Sequence, residues 1–313
     1  MRRSRFNGSS WLIAVLILAP RLVAAAPCCG GGSAIPSLIS GDDLAQLGAS
    51  VSHGSVIGDA PAQGIPVFRA DGDLEQTQTL QLDGAYRFLD RYQAGLSLPL
   101  IRRYRQFASG TQNSSTGFGD ARLDVAYEVL PEWGYSAWKP HGFLFLEGTV
   151  PLGPSIYDAQ DSLLVDARSR GFYSLGLGTA FFKAVRHFDF AFSFEAHRSF
   201  SKTVQAADSS SMIVTPGWGW SSMIGAGWSP EGGRFRVGMS LSPVYEGAIQ
   251  TEGEVNSISD SQLVWNTGVQ VGYQFRSDWS ASLNYTDQTL MGPAKNVNLS
   301  RTVSLFVQKR WEL

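Results

Sequence analysis

The chain holds four histidines, His53, His141, His187 and His197, and two cysteines, Cys28 and Cys29. A nucleophilic hydrolase needs a hydroxyl and an imidazole within hydrogen-bond reach. His53 stands among serines in ASVSHGS, but Ser52 is its immediate neighbour, and neighbours in an extended segment point to opposite faces. His187 and His197 share the polar side of HFDFAFSFEAH, and His141 falls in an expected turn. No dyad results, and the sequence reads as a non-enzyme. His197 and Glu195 supply two metal ligands without a third at suitable spacing, so neither a metal nor another cofactor is expected. The pair Cys28–Cys29 in PCCGGGS leaves several readings open. A disulfide between neighbours is strained and pairing with another chain is an equal option. Two adjacent thiols fall short of a metal set, and Pro27 disfavours lipid attachment at Cys28.

The richer chemistry is a set of charged side chains at alternating positions. In DARLDVAYEV, Asp120, Arg122, Asp124 and Glu128 fall on one side, while Ala121, Leu123, Val125, Tyr127 and Val129 fall on the other. Further members of the polar side are Asp83 and Arg87, Glu147 and Thr149, and Asp189, Glu195 and His197, with Arg234 and Arg236 at the start of a later segment. Other segments carry small uncharged residues at the equivalent places: Gly217, Ser221, Asn266, Gln270, Ser282, Asn284 and Thr302. One wall is charged and the other small and neutral.

The elements that must position these rows are strands. Four phenylalanines at a spacing of two, Phe188, Phe190, Phe192 and Phe194, cannot share one face of a helix. Alternating segments are predicted at 46–58, 74–88, 92–103, 117–130, 142–153, 170–183, 187–200, 214–229, 234–247, 262–276, 278–290 and 297–313, each long enough for the roughly 9–11 residues of a tilted membrane strand. Short connections (89–91, 184–186, 230–233, the junction at Ser277, and 131–141 of moderate length) alternate with longer polar ones (59–73, 104–116, 154–169, 201–213, 248–261, 291–296). That alternation belongs to outer-membrane barrels. An even count of about twelve puts both ends of the barrel on the short-turn side. The aromatic residues Tyr92, Trp133, Trp138, Trp218, Trp220, Trp228, Trp279 and Trp311 lie near strand ends, where interface girdles form. The fold class expected is all-β, a closed antiparallel transmembrane β-barrel of about twelve strands.

Composition agrees. Of 313 residues, 34 are glycine, 12 % are aromatic and only 17 % are charged. A net charge of −2 leaves no electrostatic footprint for nucleic acid. No apolar run reaches the roughly 18 residues of a membrane helix. Arg2, Arg3 and Arg5 precede the apolar run WLIAVLILA and then the small residues Ala24 to Ala26, the pattern of an export signal. The predicted organisation is a signal peptide over 1–25, a Gly/Ser-rich periplasmic lead-in over 26–45, and the barrel over 46–313.

The last stretch, VSLFVQKRWEL, places Val303, Leu305, Val307, Trp311 and Leu313 on one side and Ser304, Gln308, Arg310 and Glu312 on the other, with Phe306 out of step. It resembles the closing strand of bacterial outer-membrane β-barrels, although Leu313 replaces the usual terminal aromatic. The resemblance implies recognition by the barrel-insertion machinery. The stretch TGFGDARLDVAYEVL, through Thr116, Gly117, Gly119 and Asp120 with Leu123 and Tyr127 following, resembles a family of putative transporters of the meta-pathway of phenol degradation. That likeness covers about 15 residues and implies uptake of small, perhaps aromatic, compounds. No helix follows these glycines and no Lys stands beside them, so they are not a phosphate cradle.

The function expected is passive passage of small molecules across the outer membrane. The pore-lining residues would be Asp83, Arg87, Asp120, Arg122, Asp124, Glu128, Glu147, Glu195 and His197, and a water-filled passage is favoured over a solid plug. The partners are outer-membrane lipid and a small solute. The alternative is a non-conducting surface protein whose loops, notably 154–169 and 248–261, bind partners.

Overall fold

Strict alternation over this many segments buries one face only if the sheet closes on itself, because hydrocarbon tolerates no unpaired edge. The computed structural model describes residues 36–41, 43–62, 65–69, 72–132, 136–205, 211–253 and 256–312. The expected signal peptide, Cys28, Cys29, Trp133 and Leu313 lie outside these residues.

Twelve antiparallel strands form the barrel: β1 (Asp43–Ala60), β2 (Leu74–Leu89), β3 (Tyr92–Gln106), β4 (Asp120–Leu130), β5 (His141–Pro151), β6 (Ser174–Val185), β7 (Phe188–Ser199), β8 (Trp218–Trp228), β9 (Phe235–Glu246), β10 (Gln262–Gln274), β11 (Trp279–Asp287) and β12 (Val297–Glu312). Each pairs with its sequence neighbour, and β12 closes on β1 over a register running from Asp43↔Glu312 to Ala60↔Val297. Among the described residues no helix is long and apolar enough to cross a membrane.

One predicted loop is strand instead. Residues 104–116 continue the β3 hairpin: Gln112–Phe118 pairs with β3 out to Gln106↔Gln112, and only the tip turns, with Gly110 at φ 88°. Polar composition suggested a loop, but ladder hydrogen bonds extend the sheet past the barrel wall, and the Tyr104 hydroxyl lies within hydrogen-bond distance of the side chains of Gln106 and Gln112. Between Gln112–Phe118 and β4 the register slips by one residue, from Leu100↔Phe118 to Ser97↔Arg122, leaving a bulge at Gly119.

The outer surface follows the sequence parity. Phe188, Phe190, Phe192 and Phe194 are exposed, while Asp189, Ala191 and Ser193 between them are buried. Leu123, Val125, Leu144, Leu146, Leu175, Leu177, Val269, Val271, Leu283, Val303 and Leu305 continue the belt. Such a girdle of exposed aliphatic and aromatic side chains requires lipid as its solvent. Tyr92, Trp138, Trp218, Trp228 and Trp311 are exposed near the strand ends.

Inside, a cluster of Leu38, Ala126, Phe143, Phe145, Ala180, Phe182, Ala191 and Met223 fills the lumen beside β4–β8. Phe306, out of step in its strand, points inward as well. It lies over Gly48 of β1, where any Cβ would sit 2.6 Å from the ring.

Candidate functional site: the barrel lumen

Several of the nine side chains expected to line the pore are engaged with other groups or buried in the wall, as for Asp124, Glu147 and His197. The Asp83 carboxylate accepts from the Ser97 hydroxyl at 2.5 Å and the Gln81 amide at 2.7 Å. Glu128 meets Nε2 of His141 at 2.7 Å. His141 therefore opens β5 on its inner face rather than sitting in a turn, because the strand begins one residue before the expected boundary. His197 bridges Glu195 at 3.6 Å and Glu246 at 3.2 Å, and Glu246 meets Arg170 at 2.5 Å. Arg122 lies close to both Asp124 and Glu147. Among the described residues no His, Cys, Asp and Glu group has the geometry to hold a metal ion.

The short-turn end of the lumen is occupied by the chain itself. Residues 36–41, ahead of β1, run into the barrel, and inner side chains from β1 to β5 each take one of their backbone groups. Gln46 donates to Leu38 O at 3.1 Å, Arg87 to Gly41 O at 2.5 Å, and His141 Nδ1 to Ser40 O at 3.0 Å. The Gln93 amide accepts from Ile39 N at 2.7 Å and donates to Ile39 O at 3.4 Å, while the Ser37 amide donates to the Asp124 carboxylate. A non-sheet segment inside a barrel has no ladder to satisfy its backbone, so side chains must do it. Leu38 and Ile39 are buried against the inner wall. Within the expected lead-in, these two apolar residues were the available signal that part of it is not solvated.

The long-loop end is narrowed by residues 152–173, which fold inward. Asp120 accepts from the Ser169 hydroxyl and, at 3.0 Å, from the Arg170 amide. The Arg168 guanidinium donates to Ser115 and crosses Gly117, where a Cβ would meet it at 2.5 Å. A Cβ at Gly119 would meet Ile101 at 2.6 Å. Gly117, Gly119 and Asp120 are thus the seat of this loop. Farther out, Asp158 pairs with Lys202 at 2.7 Å. Burial alone would raise the Asp158 carboxyl, but the Lys202 ammonium and the Ser155 hydroxyl and amide more than offset it and hold the group below the usual carboxylate range. Short strands at Lys202–Gln205, Ser211–Thr215, Gln250–Glu252 and Ser257–Ile258 form a small sheet beside this loop, packed on Phe172, Val204 and Val214.

Burial varies along both walls. On the charged side Asp124 is 4 % exposed, Glu147 7 % and His197 8 %, and on the neutral side Ser221, Ser282 and Asn284 are buried to the same degree. Half-buried hydroxyl and amide residues form a strip over β12, β1 and β2: Thr302, Ser304, Ser50, Ser52, Thr79 and Gln81. Asp83 and Arg87 stand on the same face of β2, and Arg236 of β9 is matched by Asp189 through bonds of 2.8 and 2.5 Å. Sequence parity identified the inward residues, but it carried no sign of the segment and loop that cover the charged ones.

No protein-family model and no curated protein sequence matches the chain. Its structure is similar to that of an outer membrane channel from Pseudomonas putida F1, with TM-score 0.68 and 12 % identity, covering 90 % of this chain and 100 % of that one. Weaker likenesses are to the transport unit of the autotransporter AIDA-I from Escherichia coli (TM-score 0.46, 10 % identity, 85 % of this chain and 90 % of that one) and to a mutant of the monoaromatic hydrocarbon channel TodX (0.45, 12 %, 87 % and 91 %). In fold, the chain is a closed β-barrel of the Gram-negative outer-membrane type.

Proposed function

We propose that the protein is an outer-membrane channel for passive entry of small, uncharged solutes, hydrophobic or aromatic compounds among them. The observation that supports this most is the strip of half-buried hydroxyl and amide residues on β12, β1 and β2, Thr302, Ser304, Ser50, Ser52, Thr79 and Gln81, while Asp124, Glu147 and His197 of the charged wall are buried. A strip without net charge gives ions little compensation for lost hydration, whereas neutral solutes need none. In this reading Asp120 seats loop 152–173, while Arg87 and Asp124 hold residues 36–41. Asp83, Arg122, Glu128, Glu147, Glu195 and His197 brace the inner wall. The P. putida structure is described as a channel, which agrees with this reading. The short GFGD resemblance supports kinship with the phenol-pathway transporter group. Residues 1–25 would direct export, and β12 would present the chain to the insertion machinery. Swelling of proteoliposomes in neutral and charged solutes of equal size tests the proposal. Faster entry of the neutral solute supports it, and swelling equal to that of empty liposomes refutes it.

A non-conducting surface protein is the second reading, favoured by the chain segments that enter both ends of the lumen. Absence of flux in a barrel shown to be folded would select it.

A further inference from the structure

Arginines in the lumen and at its long-loop mouth are matched by carboxylates: Arg69 meets Asp59 and Glu75 at 2.9 Å, Arg105 meets Glu75 at 3.3 Å, Arg170 meets Glu246 at 2.5 Å and Arg236 meets Asp189 at 2.5 Å. Arg103 of β3 and Arg168 of loop 152–173 depart from this pattern. Among the described residues the Arg103 side chain makes no hydrogen bond or ion pair, and that of Arg168 makes one, to the Ser115 hydroxyl. Arg103 lies on the inner side of β3 with Gln93 and Ser97, opposite Thr77 on β2 and Ser115 on the returning strand Gln112–Phe118. Ser115 thus faces Arg103 across the ladder and accepts from Arg168, which brings the two guanidiniums to one place. The charged neighbours of Arg103 are Glu75, Arg105 and Arg168, and Glu75 is already shared by Arg69 and Arg105.

Both arginines are half-buried. The Nε of each is closed off, but both terminal nitrogens of Arg103 and one of Arg168 stay open without an acceptor. Like charges held side by side away from bulk water repel, and an anion between them removes that cost. Guanidinium forks match the paired oxygens of a carboxylate or phosphate, and the Thr77 and Ser115 hydroxyls supply further donors.

We propose that Arg103, Arg168, Thr77 and Ser115 form a site for a small oxyanion, a carboxylate or a phosphate, that fastens loop 152–173 to β3. The site faces the lumen and not lipid, so its ligand is a dissolved anion rather than a lipid headgroup. Asp120 already holds Ser169 and Arg170, and an anion on Arg168 extends that hold by one residue. The anion is a clasp for the loop and not the solute that passes, so the proposal stands apart from the channel reading.

The test titrates the full barrel in neutral detergent with sodium phosphate and with sodium acetate, read by calorimetry and by hydrogen exchange. We expect saturable binding of one anion per barrel and slower exchange at the Arg168 and Arg170 amides when the site is filled. Arg103→Gln should weaken binding about tenfold, the effect of a lost charge-assisted hydrogen bond. Arg103→Lys, which keeps the charge without the fork, should weaken it less. Arg102→Gln, next along the strand but facing lipid, should leave binding unchanged. Circular dichroism establishes that each variant is folded. Absence of saturable binding to the folded native barrel overturns the site, as does equal binding to native and Arg103→Gln barrels or an equal loss in Arg102→Gln. Binding that leaves exchange in the loop unchanged overturns the fastening role. Conductance of the same barrels decides the channel reading separately.

Discussion

The side-chain amide of Gln93 holds Ile39 from both sides, accepting its N–H at 2.7 Å and donating to its carbonyl at 3.4 Å. Gln93 lies on β3 and Ile39 ahead of β1, so the bond fastens the segment before the barrel to the inner face of a strand 54 residues later. Backbone is what is gripped here, and the grip repeats on neighbouring strands.

Gln93→Ala should therefore loosen residues 36–41. The buried Ile39 amide would lose its acceptor, an effect on the order of 1–3 kcal/mol. Hydrogen exchange at Ile39 should accelerate, while exchange at Ser193, in the wall of β7, stays slow. Conductance of the variant should rise, because less of the short-turn end is occupied.

Asp120→Ala should free loop 152–173 without opening the barrel. Ser169 and Arg170 both lose their acceptor, and Arg168 keeps only Ser115 and its backbone contacts to Pro154. Trypsin should then cut after Arg168 or Arg170 in the folded variant at concentrations that spare the native protein. Gly117→Val should act the same way, since its side chain would occupy the place of the Arg168 guanidinium.

Acid should loosen the outer part of the same loop. The Asp158 carboxyl is depressed in the folded chain, so its contribution is fully present above the ordinary carboxylate pKa of about 4 and is lost as pH falls through the lower folded value. Proteolytic sensitivity near Tyr157 should increase only below about pH 4, and Asp158→Asn should remove that pH dependence. Both partners are about a third exposed, so high salt should weaken the effect.

The apolar belt makes a stability prediction. Phe192 faces outward near the middle of β7, and Phe192→Arg should cost roughly 2–4 kcal/mol in refolding from urea into lipid. The cost should fall toward the strand ends, as at Phe188.

Much of this architecture was legible because closure and alternation are local signals. The four phenylalanines of β7 and the row of β4 fixed parity, and parity alone placed Asp83, Arg122, Asp124, Glu195 and His197 on the inner face. The lumen's contents were less legible. In HGFLFLEG both faces of β5 are apolar; parity with Glu147 puts Phe143 and Phe145 inward, but no local pattern showed that Leu38 would join them in one cluster. The glycines of GFGD suggested a turn into a strand. Their role at Gly117 depends on Arg168, which is 51 residues away and visible only once the loop folds back. Arg170, in loop 152–173, and Glu246, at the end of β9, likewise meet across the lumen end, a pairing with no local pattern.

The central claim is that solutes pass along the hydroxyl and amide strip of β12, β1 and β2, away from the buried carboxylates Asp124 and Glu147. Single-channel conductance in a planar bilayer tests it most directly, comparing Ser304→Trp with the pair Asp124→Asn/Glu147→Gln. Ser304 is half-exposed inside β12 and pairs with Ser52 and Asn284. The account predicts that the tryptophan sharply lowers conductance while the carboxylate pair leaves ion selectivity close to native. A native-like conductance with Ser304→Trp, together with altered selectivity in the carboxylate variant, would contradict it and return the passage to the charged wall.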